Sequence, residues 1–262
     1  MGRLMRKISR ALFNYDPKYQ DEFASIQGKF FAPLYLERIR PYLERQAQGR
    51  PLNILDAGCQ VGRLAIPLAQ AGHRVTAVDP SRFAVRVGER YAKRQQLQLT
   101  WIVSDIAGLA ARVPAETFDV VLCAEVLYLN RDHDDLFRAL LQLLKPGGLT
   151  VISHRTKHHY LFEAIGHKDY AAARYVLEHS EGAFRGDQFY KWHTLEELTA
   201  LYAQLRLEVL GAHPIGAFNW FVALDALAHE ERAQLLNLER LADRAGAPDC
   251  ARYVLMIGRK RS

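Results

Sequence analysis

The sequence predicts a doubly wound α/β fold, with a mostly parallel sheet of seven strands and helices on both faces. Two observations carry this prediction. Short apolar runs recur at 54–57, 75–78 and 99–103, each carrying or meeting an acidic residue, and helical patterns at 63–70 and 83–94 separate them. Fully covered parallel strands read as near-continuous apolar stretches, and they need a crossover helix between neighbours. At 262 residues and 49% hydrophobic content, the chain can bury one substantial core as a single enlarged domain.

Residues 1–50 read as an N-terminal helical cap. Within 21–43, Phe23, Ile26, Phe30, Leu34 and Ile39 fall at near-helical intervals, and Pro33 and Pro41 are expected to break the run into pieces. Residues 51–262 then form the sheet domain. Strand four is expected at 118–123 and a helix at 132–144. The turn Lys145-Pro146-Gly147-Gly148 ends that helix and launches strand five at 149–153. Residues 154–193 interrupt the alternation with six of the ten histidines and many aromatic residues. A capped helix is expected from Thr194, with Glu196 and Glu197 in its first turn. Strand-like runs at 207–210 and 253–257 complete the sheet, and a helical stretch at 221–244 lies between them; 154–193 and 215–248 are thus insertions.

The strongest local pattern is Ile54-Leu55-Asp56-Ala57-Gly58-Cys59-Gln60-Val61-Gly62-Arg63, a strand running into a glycine-bearing turn and then a helix. Such a turn presents backbone N–H groups and a helix start to a polar ligand at close approach. A nicotinamide-dinucleotide fingerprint fails at two of its three glycine positions, which hold Gln60 and Arg63. The sequence instead resembles the class I S-adenosylmethionine-dependent methyltransferases, whose first motif is an acid followed by G-x-G-x-G. Asp56, Gly58 and Gly62 match this motif, and Gln60 departs from it at the central glycine. Over residues 53–153 the remaining motifs follow in order: Asp79 at the end of strand two, Asp105 after strand three, 118–127 as the fourth motif, and the Gly147-Gly148 turn.

The resemblance implies a Rossmann-like fold and S-adenosyl-L-methionine as cofactor. It implies that Asp56, Gly58, Cys59 and Gly62 line the methionine side, that Asp79 with Pro80 takes the ribose, that Asp105 with Ile106 takes the adenine, and that Cys123, at the end of strand four, also contacts the cofactor. Because a sulfonium methyl is already activated, few obligatory catalytic residues are expected beyond those that align the acceptor and remove a proton. His154, directly after strand five, and His193, beside Trp192, are the candidate general bases. Tyr15, Tyr19 and Gln27 of the cap are candidates to close over the cofactor, with packing on the sheet as the other reading.

Several classes are disfavoured. Cys123-Ala124-Glu125-Val126 stands where methyltransferases acting on base amines carry an [Asn/Asp]-Pro-Pro-aromatic motif, and no Pro-Cys pair marks a cytosine-carbon nucleophile. Cys59, Cys123 and Cys250 lack local metal-ligand spacing, and His158-His159 has no matched carboxylate, so no metal is expected. The start of the chain lacks a signal-peptide core, and no apolar stretch reaches the roughly 20 residues of a membrane span; a cytoplasmic protein is expected. The acceptor is expected to be a small molecule, partly apolar or aromatic, methylated on oxygen or nitrogen. The net charge of +6 keeps an RNA or protein methyltransferase as an alternative. Gln60 keeps a second alternative, a non-catalytic cofactor-binding protein. The basic cluster Arg3, Arg6, Lys7 and Arg10, interleaved with apolar residues, is a candidate for peripheral membrane contact.

Overall fold

A computed structural model describes residues 30–183, 188–218, 227–243 and 248–261. The basic cluster at the start of the chain and Tyr15, Tyr19 and Gln27 lie outside these residues.

The chain runs α1 (Ala32–Ala47), β1 (Asn53–Ala57), α2 (Ala65–Gln70), β2 (Arg74–Asp79), α3 (Arg82–Arg94), β3 (Thr100–Val103), β4 (Phe118–Cys123), α4 (His133–Leu143) and β5 (Leu144–Arg155). It continues through α5 (Lys157–Gly166), α6 (Tyr170–Glu178), β6 (Glu181–Ala183), β7 (Phe189–Lys191), α7 (Leu195–Gln204), β8 (Leu207–Ile215), α8 (His229–Ala242) and β9 (Tyr253–Lys260). The main sheet has seven strands in the order β3-β2-β1-β4-β5-β9-β8. Strands β1 to β5 are parallel, and β9 and β8 add antiparallel ladders at the far edge. The strand order reverses at β1 and β4, so their carboxyl ends open a crevice where open α/β sheets bind ligands.

Alternating strand residues divide the core between the two faces. Ile54, Ala77, Val120, Leu122, Val151 and Leu255 join Leu34, Tyr35, Ile39 and Leu43 of α1 in one buried cluster. Leu55, Val78, Val121, Cys123, Ile152 and Met256 join Phe137 and Leu140 of α4 and Leu198 and Tyr202 of α7 in the other.

Four local differences from the sequence expectation have physical causes. Pro33 and Pro41 do not divide α1: Pro33 sits in the first turn, where its missing N–H is unneeded, and the helix continues through Pro41. An interior proline costs roughly 3 kcal/mol, and the buried α1 face offsets this. Strand β5 begins at Leu144, so the Lys145-Pro146-Gly147-Gly148 segment belongs to the strand, at a register shift opposite Phe118 and Val120. Asp119 organises this bulge, accepting from Arg50, Lys145 and the Asn53 backbone N–H. Strand β8 extends to Ile215 and β9 to Lys260, because each antiparallel partner satisfies the other's backbone. The 154–193 insertion is itself structured, as α5, α6 and the β6-β7 hairpin around Tyr160, Val176 and Trp192. Helix α7 starts as expected, with a full capping box between Thr194 and Glu197. No helix among the described residues is long and apolar enough to cross a membrane.

Candidate active site

The turn after β1 has the backbone of a three-glycine loop, although its central residue is glutamine. Gly58, Gln60 and Gly62 all lie in the left-handed region, at φ of 82°, 54° and 87°. A side chain at the first position is excluded: a Cβ on Gly58 would stand 2.2 Å from Cγ2 of Val126, which follows β4. The glycine therefore lets the β1 and β4 ends close on one another. Gln60 accepts a strained conformation that glycine adopts freely, at a cost of roughly 1 kcal/mol.

Asp79, at the end of β2, clamps this loop. Its Oδ2 accepts from the Gln60 N–H at 2.9 Å and its Oδ1 from the Ser81 N–H at 2.8 Å. Asp105 is exposed and anchors its own turn through the Gly108 N–H at 2.7 Å, with Ile106 buried beside it. Pro80 is exposed between Asp79 and the α3 cap residue Ser81. Asp56 is buried under the loop, where loss of solvent pushes its carboxyl up to about 7 against the opposing field of Arg63. Cys59 is buried in the turn, and its thiol reaches the Gln60 carbonyl at 3.6 Å. Cys123 points into the α4 and α7 core, so only its backbone faces the carboxyl end of the sheet. These features fit an adenosyl ligand: a left-handed glycine turn at the carboxyl end of β1, and a carboxylate at the end of β2 beside it.

Next to the turn lies a polar network that motif reading did not single out. Glu125, in left-handed conformation at φ 62°, donates its N–H to Ser153 Oγ at 2.6 Å. Its carboxylate accepts from Arg63 at 2.7 Å and from the Tyr253 hydroxyl at 2.9 Å. Burial would raise the Glu125 carboxyl, but Arg63, the Tyr253 hydrogen bond and the field of Arg155 together hold the group below the usual range. Arg155 ends β5 on the same side as Ser153, and its guanidinium carbon lies 4.3 Å from the Tyr253 ring centroid, 5.0 Å from Tyr128 and 5.7 Å from Tyr160. The sequence signal for these residues was weak, because Arg63, Glu125, Arg155 and Tyr253 belong to four different strand ends.

The structure brings His154 and His193 together, with ring centroids 5.9 Å apart, and adds His133 at 5.6 and 5.4 Å. This cluster faces α4 and α7, the opposite face of β5 from Arg155. His154 Nε2 and the Tyr202 hydroxyl share a 3.2 Å hydrogen bond, and Phe137 packs beside both rings. His133 Nδ1 pairs with Asp134 at 2.7 Å. Desolvation lowers the basicity of all three imidazoles, and His193 falls to about 3. No group of three or more metal-ligating side chains is poised for an ion among the described residues.

Comparison with known proteins agrees with this geometry. A family model described as a methyltransferase domain matches residues 54–148. The ubiquinone biosynthesis O-methyltransferase of Methylocella silvestris is 36% identical over 64% of this chain and 62% of its own length. That of Ralstonia nicotianae is 32% identical over 63% of this chain and 70% of its own. The match to the Rickettsia typhi relative spans only 48% of that protein. Among solved structures, the magnesium protoporphyrin IX methyltransferase of Synechocystis superposes with a TM-score of 0.58 at 17% identity, over 87% of this chain and 83% of that one. The 1,6-didemethyltoxoflavin-N1-methyltransferase of Burkholderia thailandensis gives 0.58 at 18% identity, over 98% and 91%. The sheet order, the left-handed turn at Gly58, the strand-end acid Asp79 and these sequence matches converge: the chain belongs to the class I S-adenosylmethionine-dependent methyltransferases.

Proposed function

We propose that this protein transfers the methyl group of S-adenosylmethionine to an oxygen of a small aromatic molecule. The observation that carries the reading is the juxtaposition of the Asp79-clamped turn with a cluster of tyrosines from the segment after β4, from α5 and β7, and from the start of β9. Tyr128, Tyr190 and Tyr160 follow one another at centroid separations of 6.3 and 5.4 Å, and Tyr253 lies 5.9 Å from Tyr128. Such rings favour an aromatic guest by offset or edge contacts. The relatives named above are O-methyltransferases of ubiquinone biosynthesis, which favours oxygen over nitrogen as the acceptor atom.

In this reading Asp79 takes the ribose hydroxyls, the exposed Asp105 with Ile106 takes the adenine, and the turn from Gly58 to Gly62 passes beneath the methionine portion. The bound cofactor supplies a methyl carbon on a positively charged sulfur, which leaves as a neutral thioether. The chain's own task is then alignment and exclusion of water. The Glu125–Arg63 pair sets the end of β4 against the glycine turn, and the tyrosines orient the acceptor ring. His154 and His193 act by packing and polar bridging behind the sheet, since both rings lie on the far face of β5 and are held neutral there. His159, on the Arg155 side, is likewise kept neutral by burial and by the fields of Arg155 and Arg252.

Calorimetric titration with S-adenosylmethionine and S-adenosylhomocysteine tests the first half, with NAD as control and Asp79→Asn as the second protein. Binding of the adenosyl ligands, weakened tenfold or more in the variant, is expected from loss of a charged acceptor at the ribose. Absence of binding by folded protein would sink the reading. Incubation with methyl-labelled cofactor and fractionated extract tests the second half. Label is expected in small organic-soluble molecules; label confined to RNA or protein would replace this acceptor class, and binding without any transfer would leave a non-catalytic cofactor-binding protein.

A further inference from the structure

Among the described residues, Arg155 is a buried charge with two unpartnered donors. Its side chain is buried, with 6% of the residue exposed, yet Nε and Nη1 have no hydrogen-bond partner among the described residues. The nearest carboxylate in the network, Glu125, is already engaged on one oxygen by Arg63 and on the other by Tyr253. What surrounds Arg155 instead is aromatic: the faces of Tyr253, Tyr128 and Tyr160, all within 5.7 Å of its guanidinium carbon. Ring faces stabilise a cation, but they leave its in-plane N–H donors unused. Arginine stays charged in any environment, so these donors persist as a fixed fork in a site of low dielectric, where an unmet donor is costly.

Arg155 is also well placed for a ligand. It follows Ser153 and His154 at the carboxyl end of β5, beside the Glu125 segment whose next residue, Val126, closes on Gly58. We propose that Arg155 is the anion-binding residue of the acceptor site, and that its fork receives a carboxylate carried on the aromatic ring of the acceptor. The assignment rests on the methyl-transfer reading above and adds to it the charge of the substrate. It makes Arg155 a specificity-determining residue, which discriminates against the uncharged analogue by leaving its own donors unpaired when that analogue binds.

The test is calorimetric binding of 4-hydroxybenzoate and of its methyl ester to the full chain saturated with S-adenosylhomocysteine. The ester keeps the ring and hydroxyl but removes the charge. The acid is expected to bind about tenfold or more tightly than the ester, as charge-assisted hydrogen bonds require. Arg155→Gln is expected to abolish that preference and Arg155→Lys to retain part of it, with thermal melts confirming that each variant folds. The acid-to-ester ratio in the unaltered protein needs no variant, so a failure of Arg155→Gln to fold leaves the test intact. Equal binding of acid and ester, a preference that survives Arg155→Gln, or no binding of either probe while S-adenosylhomocysteine is bound would each overturn the proposal. Failure of S-adenosylhomocysteine itself to bind would instead remove the methyl-transfer reading, and this proposal with it.

Discussion

Acidification should destabilise the protein through the imidazole cluster on the α4 and α7 face. His133, His154 and His193 are buried against one another, so desolvation opposes protonation of each, and repulsion from neighbouring imidazoles adds to it at His154 and His193. In the unfolded chain they protonate near 6.5, whereas in the folded chain His193 does so only near 3. The unfolded state therefore binds more protons below pH 6.5, and stability is full above that pH and lost as pH falls. For His193 the linkage integral between pH 6.5 and 5.5 is about 1 kcal/mol, and His154, whose folded value is also well depressed, contributes a similar loss. Asp56 acts in the opposite sense. Its carboxyl, raised to about 7 in the fold against 3.8 unfolded, holds a proton there and returns about 1 kcal/mol over the same window. The net slope of the protein is thus a difference, and the variant His193→Gln isolates one part of it. Urea unfolding at pH 5.5, 6.0, 6.5 and 7.5 is expected to show that the variant loses about 1 kcal/mol less than the parent between pH 6.5 and 5.5. Parallel curves for the two proteins would refute the claim that His193 is kept neutral by the fold.

Three further outcomes follow, two from the turn that builds the site and one from the bulge near the start of β4. Gln60→Gly relieves a left-handed non-glycine residue at φ 54° and should raise stability by about 0.5–1 kcal/mol in urea titrations, with cofactor binding retained. Gly58→Ala forces a Cβ onto Val126 at a φ of 82°; a loss of about 2 kcal/mol or more in thermal melts is expected, with S-adenosylhomocysteine binding abolished. Asp119 is buried, and although burial raises its carboxyl, Arg50, the Asn53 N–H and Lys145 together bring it down to about 2. Its stabilisation is present above about pH 3.8 and lost as pH falls toward 2, so Asp119→Asn should cost about 1–3 kcal/mol at neutral pH and show a flatter acid limb than the parent by circular dichroism.

Local signals were enough to order the elements. The apolar runs before Asp79 and Asp105 read directly as β2 and β3, since a strand covered on both faces needs no more than a short apolar stretch. Thr194 with Glu197 announced α7, since a capping box is a contact between residues three apart. The glycines at 58 and 62 announced the turn, since a left-handed backbone strongly favours glycine. Gln60 shows the limit of that inference: the conformation at a position can be that of glycine while the residue is not, because a neighbouring carboxylate, Asp79, holds its N–H in place. Proline in α1 misled for the opposite reason, since its local penalty is overridden by the burial of Leu34, Tyr35, Ile39 and Leu43.

By itself, the sequence determined the alternation of strands and helices, the glycine turn and the acids at the strand ends, because each depends on residues that are neighbours in the chain. Only the tertiary structure decided which side chains share a space. His154 and Arg155 are adjacent in sequence, yet strand alternation sends one ring into the core with Tyr202 and sets the other side chain among Tyr128, Tyr160 and Tyr253. The pairing of Arg63 with Glu125, and of Glu125 with Tyr253, likewise joins residues 62 and 128 positions apart. No spacing rule links such residues, because the sheet order that brings β1, β4, β5 and β9 together is set by how two faces of one sheet are buried at once.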